Sequence, residues 1–154
     1  MIVAQPKENI ADFVGNIIGQ GQYFPFDEYS ALGLMEDGVL IAGVIYNHYN
    51  KPNIMAHIAD IPGKKWLTRD FLFAMFDYPF NQLECNRITG LVPKKNKEAR
   101  RFDTHLGFEY EGNMRHALPD DDMLIYGMLK EKCKWLKLKN GSGNGSNIHY
   151  INAA

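Results

Sequence analysis

The stretch NKEARRFDTHLGF, residues Asn96–Phe108, decides the fold of this chain. Its apolar residues recur at helical spacing and form one stripe of a helix, namely Ala99, Phe102 and Leu106. Gly107 is suited to the left-handed position that ends many helices, so the helix is predicted to stop there. The strand-like run RITGLVP, Arg87–Pro93, directly precedes it. The sequence therefore predicts a strand that leads into a short helix with a basic outer face.

The remaining elements are predicted outward from this unit. Apolar periodicity predicts two further helices, at Asn9–Gly19 and Trp66–Tyr78. Strands are predicted at Met1–Ala4, Ala31–Glu36, Val39–Tyr46, Ile54–Ile61, Phe108–His116 and Met123–Leu129. Asp37-Gly38 is a two-residue hairpin signal. One central strand–helix–strand crossover in an otherwise antiparallel set predicts an α/β (α+β) fold: a mixed, mostly antiparallel sheet with helices on both faces.

Composition limits the classes of protein that this chain can belong to. The chain has 154 residues and is 45% apolar, which suits one domain with a sizeable core. A net charge of −1 gives no general attraction to nucleic acid or to an anionic membrane. We expect a single domain over residues 1–140. Residues 141–154, rich in Gly, Ser and Asn, are expected to form a flexible tail.

The two cysteines and the apolar runs indicate the compartment. Cys85 and Cys133 lack the spacing of a metal knuckle or a redox pair, so no metal is expected and free thiols in a cytoplasmic protein are the simplest interpretation. The N-terminus has no basic-then-apolar leader, and no apolar run approaches ~18 residues. Secretion by that route and membrane spanning are therefore not expected.

Two motifs in the predicted order resemble the GNAT acetyltransferase superfamily, over most of residues 1–136. The helix Asn96–Phe108 is similar to the N-x-x-(S/A)…G-F helix, and DMLIYGMLKEKCKW, Asp122–Trp135, is similar to the closing strand. The branch that acetylates ribosomal-protein N-termini shows the greatest similarity. The resemblance implies a GNAT fold and an acetyl-CoA-dependent N-acetyltransferase. Such an enzyme moves the acetyl group directly to an amine, whether a protein N-terminus, a lysine or a small amine.

The resemblance also implies where acetyl-CoA binds. In the family, a glycine-containing loop opens a helix and directs backbone N–H groups at the pyrophosphate. The corresponding residues here are Gly63, Lys64, Lys65, Trp66, Leu67 and Thr68. Lys65 stands at the second glycine, where it could pair with phosphate as a point charge or fill the cradle. Ile58 and Ile61 are implied to hold the pantetheine arm, and the later helix contributes Asn96, Arg100 and Arg101.

Candidate catalytic residues follow from the same resemblance. A base must deprotonate the acceptor ammonium, and a histidine titrates near neutral pH without perturbation. His57 is the first candidate, and Asp60 could act through a water if burial raised its pKa. A structural role for His57 stays open. Many family members place a tyrosine acid where this chain has Asp103, so His105 and Tyr126 are the alternative proton donors.

The acceptor site is expected beside the connection after the first helix. Its aromatic and acidic residues would attract a cationic amine, and they are Tyr23, Phe24, Phe26, Asp27 and Glu28. The loop between the last two strands would add Asp120–Asp122 to the same rim. Solvated loop acids are the other interpretation. The acceptor itself is not identified, and family members often form homodimers.

Two other classes of function stay open. A GNAT-like binding or structural protein that has lost coenzyme A binding would explain Lys65 and Asp103. A nucleic-acid-binding protein would use lysines 134, 137 and 139 around Trp135, because basic residues beside an aromatic ring suit phosphate and base contacts. The near-neutral total charge disfavours the second class.

Overall fold

The computed structural model describes residues 1–19 and 28–138. Seven strands form one sheet: β1 (Ile2–Val3), β2 (Tyr29–Glu36), β3 (Val39–Asn47), β4 (Asn53–Asp60), β5 (Arg87–Pro93), β6 (Glu109–Leu118) and β7 (Asp121–Leu129). Their order in space is β1-β2-β3-β4-β5-β7-β6, and every neighbouring pair is antiparallel except β4 and β5. The predicted mixed, mostly antiparallel sheet is confirmed.

Helices cover both faces of this sheet, as predicted. Helix α1 (Lys7–Ile18) packs against β2, β3 and β4 through a small apolar cluster of Ile10, Val14, Ala31, Ile45 and Ala59. Helices α2 (Arg69–Asp77) and α3 (Lys97–Leu106) contribute to the larger cluster on the opposite face. Because side chains alternate along a strand, odd-numbered residues of β4 face α1 and even-numbered residues face α2 and α3.

Helix α2 begins later than the sequence predicts. The side-chain oxygen of Thr68 accepts a hydrogen bond from the N–H of Phe71 (3.2 Å), so Thr68 is the cap residue and not part of the first turn. Trp66, the predicted start, is buried in the core instead. The helix ends at Asp77 and continues as a π-helical turn, Tyr78–Gln82, that contains Pro79.

Helix α3 has the ends that its sequence predicts. The side chain of Asn96 accepts a hydrogen bond from the N–H of Ala99 (3.1 Å). Gly107 has φ 107°, in the left-handed region, and the N–H of Phe108 donates to the carbonyl of Asp103 (2.9 Å). These contacts determine where helix α3 begins after β5 and where it ends before β6.

Two short 3-10 turns, Lys130–Lys132 and Lys134–Lys137, follow β7. The indole N–H of Trp135 donates to the carbonyl of Leu106 (2.7 Å), and the ring packs against the core. The ring is therefore engaged within the fold, which weakens the nucleic-acid interpretation. Lys139 and the predicted tail lie outside the described residues. None of the described helices is long and apolar enough to cross a membrane.

The close approach of α1 to β3 gives a test of the packing. A Cβ at Gly43 would lie 2.8 Å from Val14 Cγ2 and 3.2 Å from Ile10 Cγ2, whereas a Cβ at Gly112 would meet Ile125 Cδ1 at 3.8 Å. We expect Gly43→Ala to lower the free energy of unfolding by about 1–3 kcal/mol through overpacking. Gly112→Ala is the matched control and should change it by less than about 1 kcal/mol. Urea denaturation measures both, and equal stability of the two variants would contradict this account.

Candidate active site

The parallel strands β4 and β5 are paired at one end only. Their residue pairs are Asn53–Arg87, Ile54–Ile88 and Met55–Thr89, although β4 continues to Asp60 and β5 to Pro93. The strands therefore part after Met55 and Thr89, and a V-shaped split opens between them. This split lies where the resemblance implies the pantetheine arm.

Backbone polar groups of β4 face this split. The N–H of Ile61 donates to the carbonyl of Ile41 on β3 (2.9 Å), directly opposite it in the register of the two strands. Because hydrogen-bonded pairs alternate along an antiparallel ladder, the N–H and C=O groups of Ile58 and Asp60 point away from β3 and into the split. The backbone of Ile58 thus faces the split, whereas Ile61 uses its N–H within the sheet.

A polar network fastens the closed end of the split. Arg87 Nη2 donates to Glu111 Oε1 (2.7 Å), and Arg87 Nε reaches Asn53 Oδ1 (3.2 Å) and Thr89 Oγ1 (3.1 Å). Thr89 in turn donates its hydroxyl to Asn53 Oδ1 (2.6 Å). A Cβ at Gly127 would overlap Glu111, so the glycine leaves room for the ion pair to cross β7. The network joins β4, β5 and β6.

His57 lies further along β4, on the face that packs against α1. Its Nε2 lies 2.9 Å from Asn47 Oδ1 on the neighbouring strand. Burial, and then the charge of His48, lower the pKa of His57 to about 4. The expectation that this imidazole titrates near neutral pH is therefore wrong. His57 is neutral at pH 7, and a proton that it accepts is readily passed on.

Asp60 lies at the end of β4 and belongs to the opposite face. Burial raises the pKa of the Asp60 carboxyl, a hydrogen bond from the Trp66 side chain opposes this, and the charge of Glu98 adds to the rise. This is the direction that a carboxylate base requires. The carboxyls of Asp60 and Glu98 place negative charge beside the loop after β4, in which the pyrophosphate was expected.

The loop after β4 matches a phosphate cradle only in part. Gly63 has φ +83°, so its backbone conformation favours glycine, and a Cβ there would meet nothing within 4 Å. Lys64 pairs loosely with Glu36 (3.8 Å), and the exposed Lys65 forms no ion pair with any residue that the structure describes. Leu67 packs against the core, and the Thr68 hydroxyl caps α2.

An aromatic contact bridges the two segments that follow the parted strands. The ring centroid of Trp66, in the loop after β4, lies 5.3 Å from that of Phe102, on the helix after β5. Both side chains pack in the larger apolar cluster. This contact limits how far the loop and α3 can separate on that face of the split.

The basic face of α3 lines a separate cavity of about 400 Å³. Its lining residues are Lys97, Arg100, Arg101, Thr104 and Tyr126, and none belongs to the loop after β4. The predicted cofactor residues Arg100 and Arg101 are thus brought together with Tyr126 and not with Gly63. Tyr126 is buried, lies opposite Gly90 in the register and stacks edge-on with Tyr110 (6.0 Å). His105 is exposed in the last turn of α3.

The carboxyl of Asp103 lies over β5 on the α3 face of the sheet. A Cβ at Gly90 would lie 3.6 Å from Asp103 Oδ2, and Gly90 is the first residue of β5 beyond the paired end. Burial raises the pKa of Asp103 to about 7. Across residues 1–19 and 28–138, no side chain or backbone group hydrogen-bonds or ion-pairs with this carboxyl.

Most of the predicted acceptor residues lie outside the described chain, namely Tyr23, Phe24, Phe26 and Asp27. Glu28 is described and exposed, directly before β2. In the turn between β6 and β7, Asp122 accepts from the N–H of His116 (2.9 Å) and pairs with Lys94, so its carboxylate orders the hairpin.

The chain's own thiols are remote from solvent. Cys85 and Cys133 are free and buried, and burial raises the pKa of both thiols. The described residues contain no group of three His, Cys, Asp or Glu side chains able to hold a metal ion.

Comparison with known proteins establishes the fold. No protein-family model matches the chain, and no curated protein sequence matches it. A variant of the spermidine N-acetyltransferase SpeG from Vibrio cholerae matches with a TM-score of 0.70 and 17% identity, over 89% of this chain and 98% of that one. A dodecameric structure of the same enzyme matches with a TM-score of 0.66 and 17% identity, over 86% and 94%.

A structure described as a probable acetyltransferase has a TM-score of 0.64 and 18% identity, over 84% of this chain and 92% of that one. At these identities the similarity concerns the fold. The chain has the fold of these acetyltransferases, which confirms the GNAT-like architecture predicted from the sequence.

Two parts of the site were not predicted. The Arg87–Asn53–Thr89–Glu111 network joins residues far apart in the sequence, and only the strand register brings them together. Asp103 was identified as a replaced tyrosine, but not as a partly buried acid beside β5. The available signal was its spacing, because Asp103 is four residues after Ala99 and three before Leu106, on the apolar side of the helix.

The opposite pKa shifts of His57 and Asp103 predict a pH signature. The lowered pKa of His57 (about 4, from 6.5) costs stability as the pH falls from 6.5 to 4, because the unfolded chain binds the extra proton. The raised pKa of Asp103 (about 7, from 3.8) costs stability as the pH rises from 3.8 to 7.

Removing either side chain should remove its own contribution to this pH dependence of stability. Relative to the native protein, Asp103→Asn should gain stability as the pH rises to 7, and His57→Gln should gain stability as the pH falls to 4. Each change should be on the order of 3–4 kcal/mol, because the two pKa values differ from their ordinary ones by about 2.5 and 3.2. Denaturant unfolding across this range measures both, and pH-independent differences from the native protein would refute the assigned shifts.

Proposed function

We propose that this chain is an acetyl-CoA-dependent N-acetyltransferase that moves the acetyl group directly from the thioester to an amine. The observation that carries the proposal is the parting of β4 and β5 after three residue pairs. The parting leaves the backbone groups of Ile58 and Asp60 directed into a split, where an extended, amide-containing arm can hydrogen-bond as an added strand does. The similarity in fold to acetyltransferases supports the same function.

The residues around the split fit acetyl-CoA in part. Ile58 and Asp60 would hold the pantetheine arm through their backbone, and Lys65 with the open backbone at Gly63 would receive the pyrophosphate. Acetyl-CoA supplies the activated acyl group when it is bound. Asn96 caps α3, so its side chain is engaged within the fold. Arg100 and Arg101 would attract phosphates from the far side of α3 by charge rather than by direct contact with the loop.

Two residues are proposed to take the proton from the acceptor. His57, neutral at pH 7, faces the α1 side of the split, from which the acceptor would approach. Asp60 is the second candidate, through a water on the opposite face. A pKa of about 4 lies well below the operating pH, so His57 would be a weak base and would pass an accepted proton on to solvent.

The acceptor is proposed by chemical class only. The sequence resemblance to the ribosomal-protein branch implies a protein N-terminus, whereas SpeG from Vibrio cholerae, which has a similar fold, is a spermidine N-acetyltransferase. Both acceptors are cationic amines. Glu28, beside the predicted acceptor loop, is the described acidic residue that would contribute attraction. Spermidine and an alanine-terminated peptide are therefore the first probes to try.

The competing proposal is a GNAT-like protein without coenzyme A binding. The Trp66–Phe102 contact across the loop and α3 favours it, as do the carboxyls of Asp60 and Glu98 beside the loop. Binding of acetyl-CoA decides between the two proposals.

Calorimetric titration with acetyl-CoA tests the proposal. We expect micromolar binding, and Lys65→Glu should weaken it at least tenfold, about 1.4 kcal/mol, because a carboxylate replaces the cation facing the phosphates. Lys130→Glu is the matched control, since the exposed Lys130 follows β7 at the opposite end of the sheet. Undetectable binding at millimolar acetyl-CoA would reject the enzyme, and equal loss in both variants would reject the loop as the phosphate site.

A further inference from the structure

We propose that the cavity beside α3 is a second binding site, which takes the phosphate monoester group of a small ligand other than the acetyl-CoA proposed for the split. The inference is independent of the acetyltransferase function. The cavity has a volume of about 400 Å³, which lies in the range of small-molecule sites. Three observations carry the assignment: unpaired cations line the cavity, a buried hydroxyl on its wall has no partner, and α3 separates it from the split.

The first observation is an excess of positive charge. Lys97, Arg100 and Arg101 line the cavity, and none of them forms an ion pair within the two described ranges of the chain. Arg100 Nη1 donates to the carbonyl of Lys94 (3.1 Å), and Arg101 Nε donates to that of Lys97 (3.5 Å). Each guanidinium keeps further N–H donors, whose planar arrangement matches the oxygens of a phosphate group.

The second observation is the hydroxyl of Tyr126. This residue is only 4% exposed, yet it forms part of the cavity wall. Its hydroxyl hydrogen-bonds to no residue that the structure describes, whereas the buried Tyr46 donates its hydroxyl to the carbonyl of Met75 (2.7 Å). Because a buried polar group without a partner is destabilising, the Tyr126 hydroxyl indicates a ligand that accepts its hydrogen bond.

The cavity residues also indicate what kind of ligand fits. A phosphate monoester carries about −1.5 to −2 charges at neutral pH, so it neutralises three cations better than a single carboxylate does. The phosphate group occupies only part of the cavity, and the rest has room for the organic part of the ligand. Thr104 donates its hydroxyl to the carbonyl of Arg100 (2.9 Å), so its oxygen can accept from a ligand hydroxyl. A sugar phosphate has both groups.

The third observation separates the cavity from the proposed coenzyme site. The α3 residues that line the cavity recur at i, i+3, i+4 and i+7, so they share one side of the helix. Phe102 lies on another side, where its ring contacts that of Trp66 in the loop after β4 (5.3 Å). Glu98 lies close enough to Asp60, at the end of β4, for their charges to interact. The helix therefore stands between the cavity and the split.

Calorimetric titration with ribose 5-phosphate, inorganic phosphate and ribose tests the site. We expect both phosphate probes to bind saturably, the sugar phosphate more tightly, and ribose not to bind. Arg101→Gln and Tyr126→Phe should each weaken ribose 5-phosphate about tenfold, because each removes a hydrogen bond to a charged group. Lys51→Gln, in the exposed turn between β3 and β4, is the matched control. No binding of either phosphate probe at millimolar concentration, or equal weakening in the control, would overturn the site.

NMR of the tyrosine ring carbons locates the bound ligand. The Tyr126 resonances are assigned by their absence in Tyr126→Phe, which keeps the ring in the core and should unfold at close to the native temperature. Ribose 5-phosphate is expected to shift the Tyr126 resonances and to leave those of Tyr49 unchanged, since Tyr49 donates its hydroxyl to Leu83 elsewhere. Unshifted Tyr126 resonances at a saturating concentration would overturn the assignment.

Competition distinguishes the two sources of a phosphate monoester, because coenzyme A carries one on its own ribose. We expect ribose 5-phosphate to bind equally well in the presence and absence of coenzyme A. Displacement by coenzyme A, but not by dephospho-coenzyme A, would make the cavity part of the coenzyme site and overturn a second site. A native protein that binds no coenzyme A would reject the acetyltransferase, while the direct titration would still decide the cavity.

Discussion

Hydrogen bonding between β4 and β5 ends after three residue pairs, and the candidate site depends on that early end. An unsatisfied buried backbone group costs about 1–3 kcal/mol, so two parallel strands have a strong tendency to close along their whole length. Here each strand is held by its outer neighbour instead, β4 by β3 and β5 by β7. The Arg87 network lies at the closed end, where the strands are still paired, and the Trp66–Phe102 contact joins the segments that follow them on one face.

The two titratable groups His57 and Asp103 lie on opposite faces of the sheet. His57 faces α1 and is neutral at pH 7 because burial disfavours the cation, while Asp103 lies between α3 and β5 and has a pKa of about 7 because burial disfavours the anion. One physical cause, desolvation, thus produces a weak base on one side of the sheet and a weak acid on the other.

The sequence was sufficient for features with a local cause. Helix α3 is specified by residues close together in the sequence. Its apolar stripe is Ala99, Phe102 and Leu106, its cap is Asn96, and Gly107 ends it. The start of α2 was misplaced because Trp66 resembles the first residue of an amphipathic helix, whereas the tertiary core takes its ring and Thr68 supplies the cap. The separation of Arg100 and Arg101 from Gly63 depends on how α3 is rotated over the sheet, which no local pattern encodes.

The burial of Cys85 and Cys133 has a chemical consequence for any thioester that this fold receives. Thioester exchange needs a thiolate within reach, and both side chains are enclosed with pKa values raised above that of a free thiol. The protein is therefore protected against acylating itself through sulfur. In the proposed transfer, an acyl group held in the split would therefore meet neither cysteine as a nucleophile.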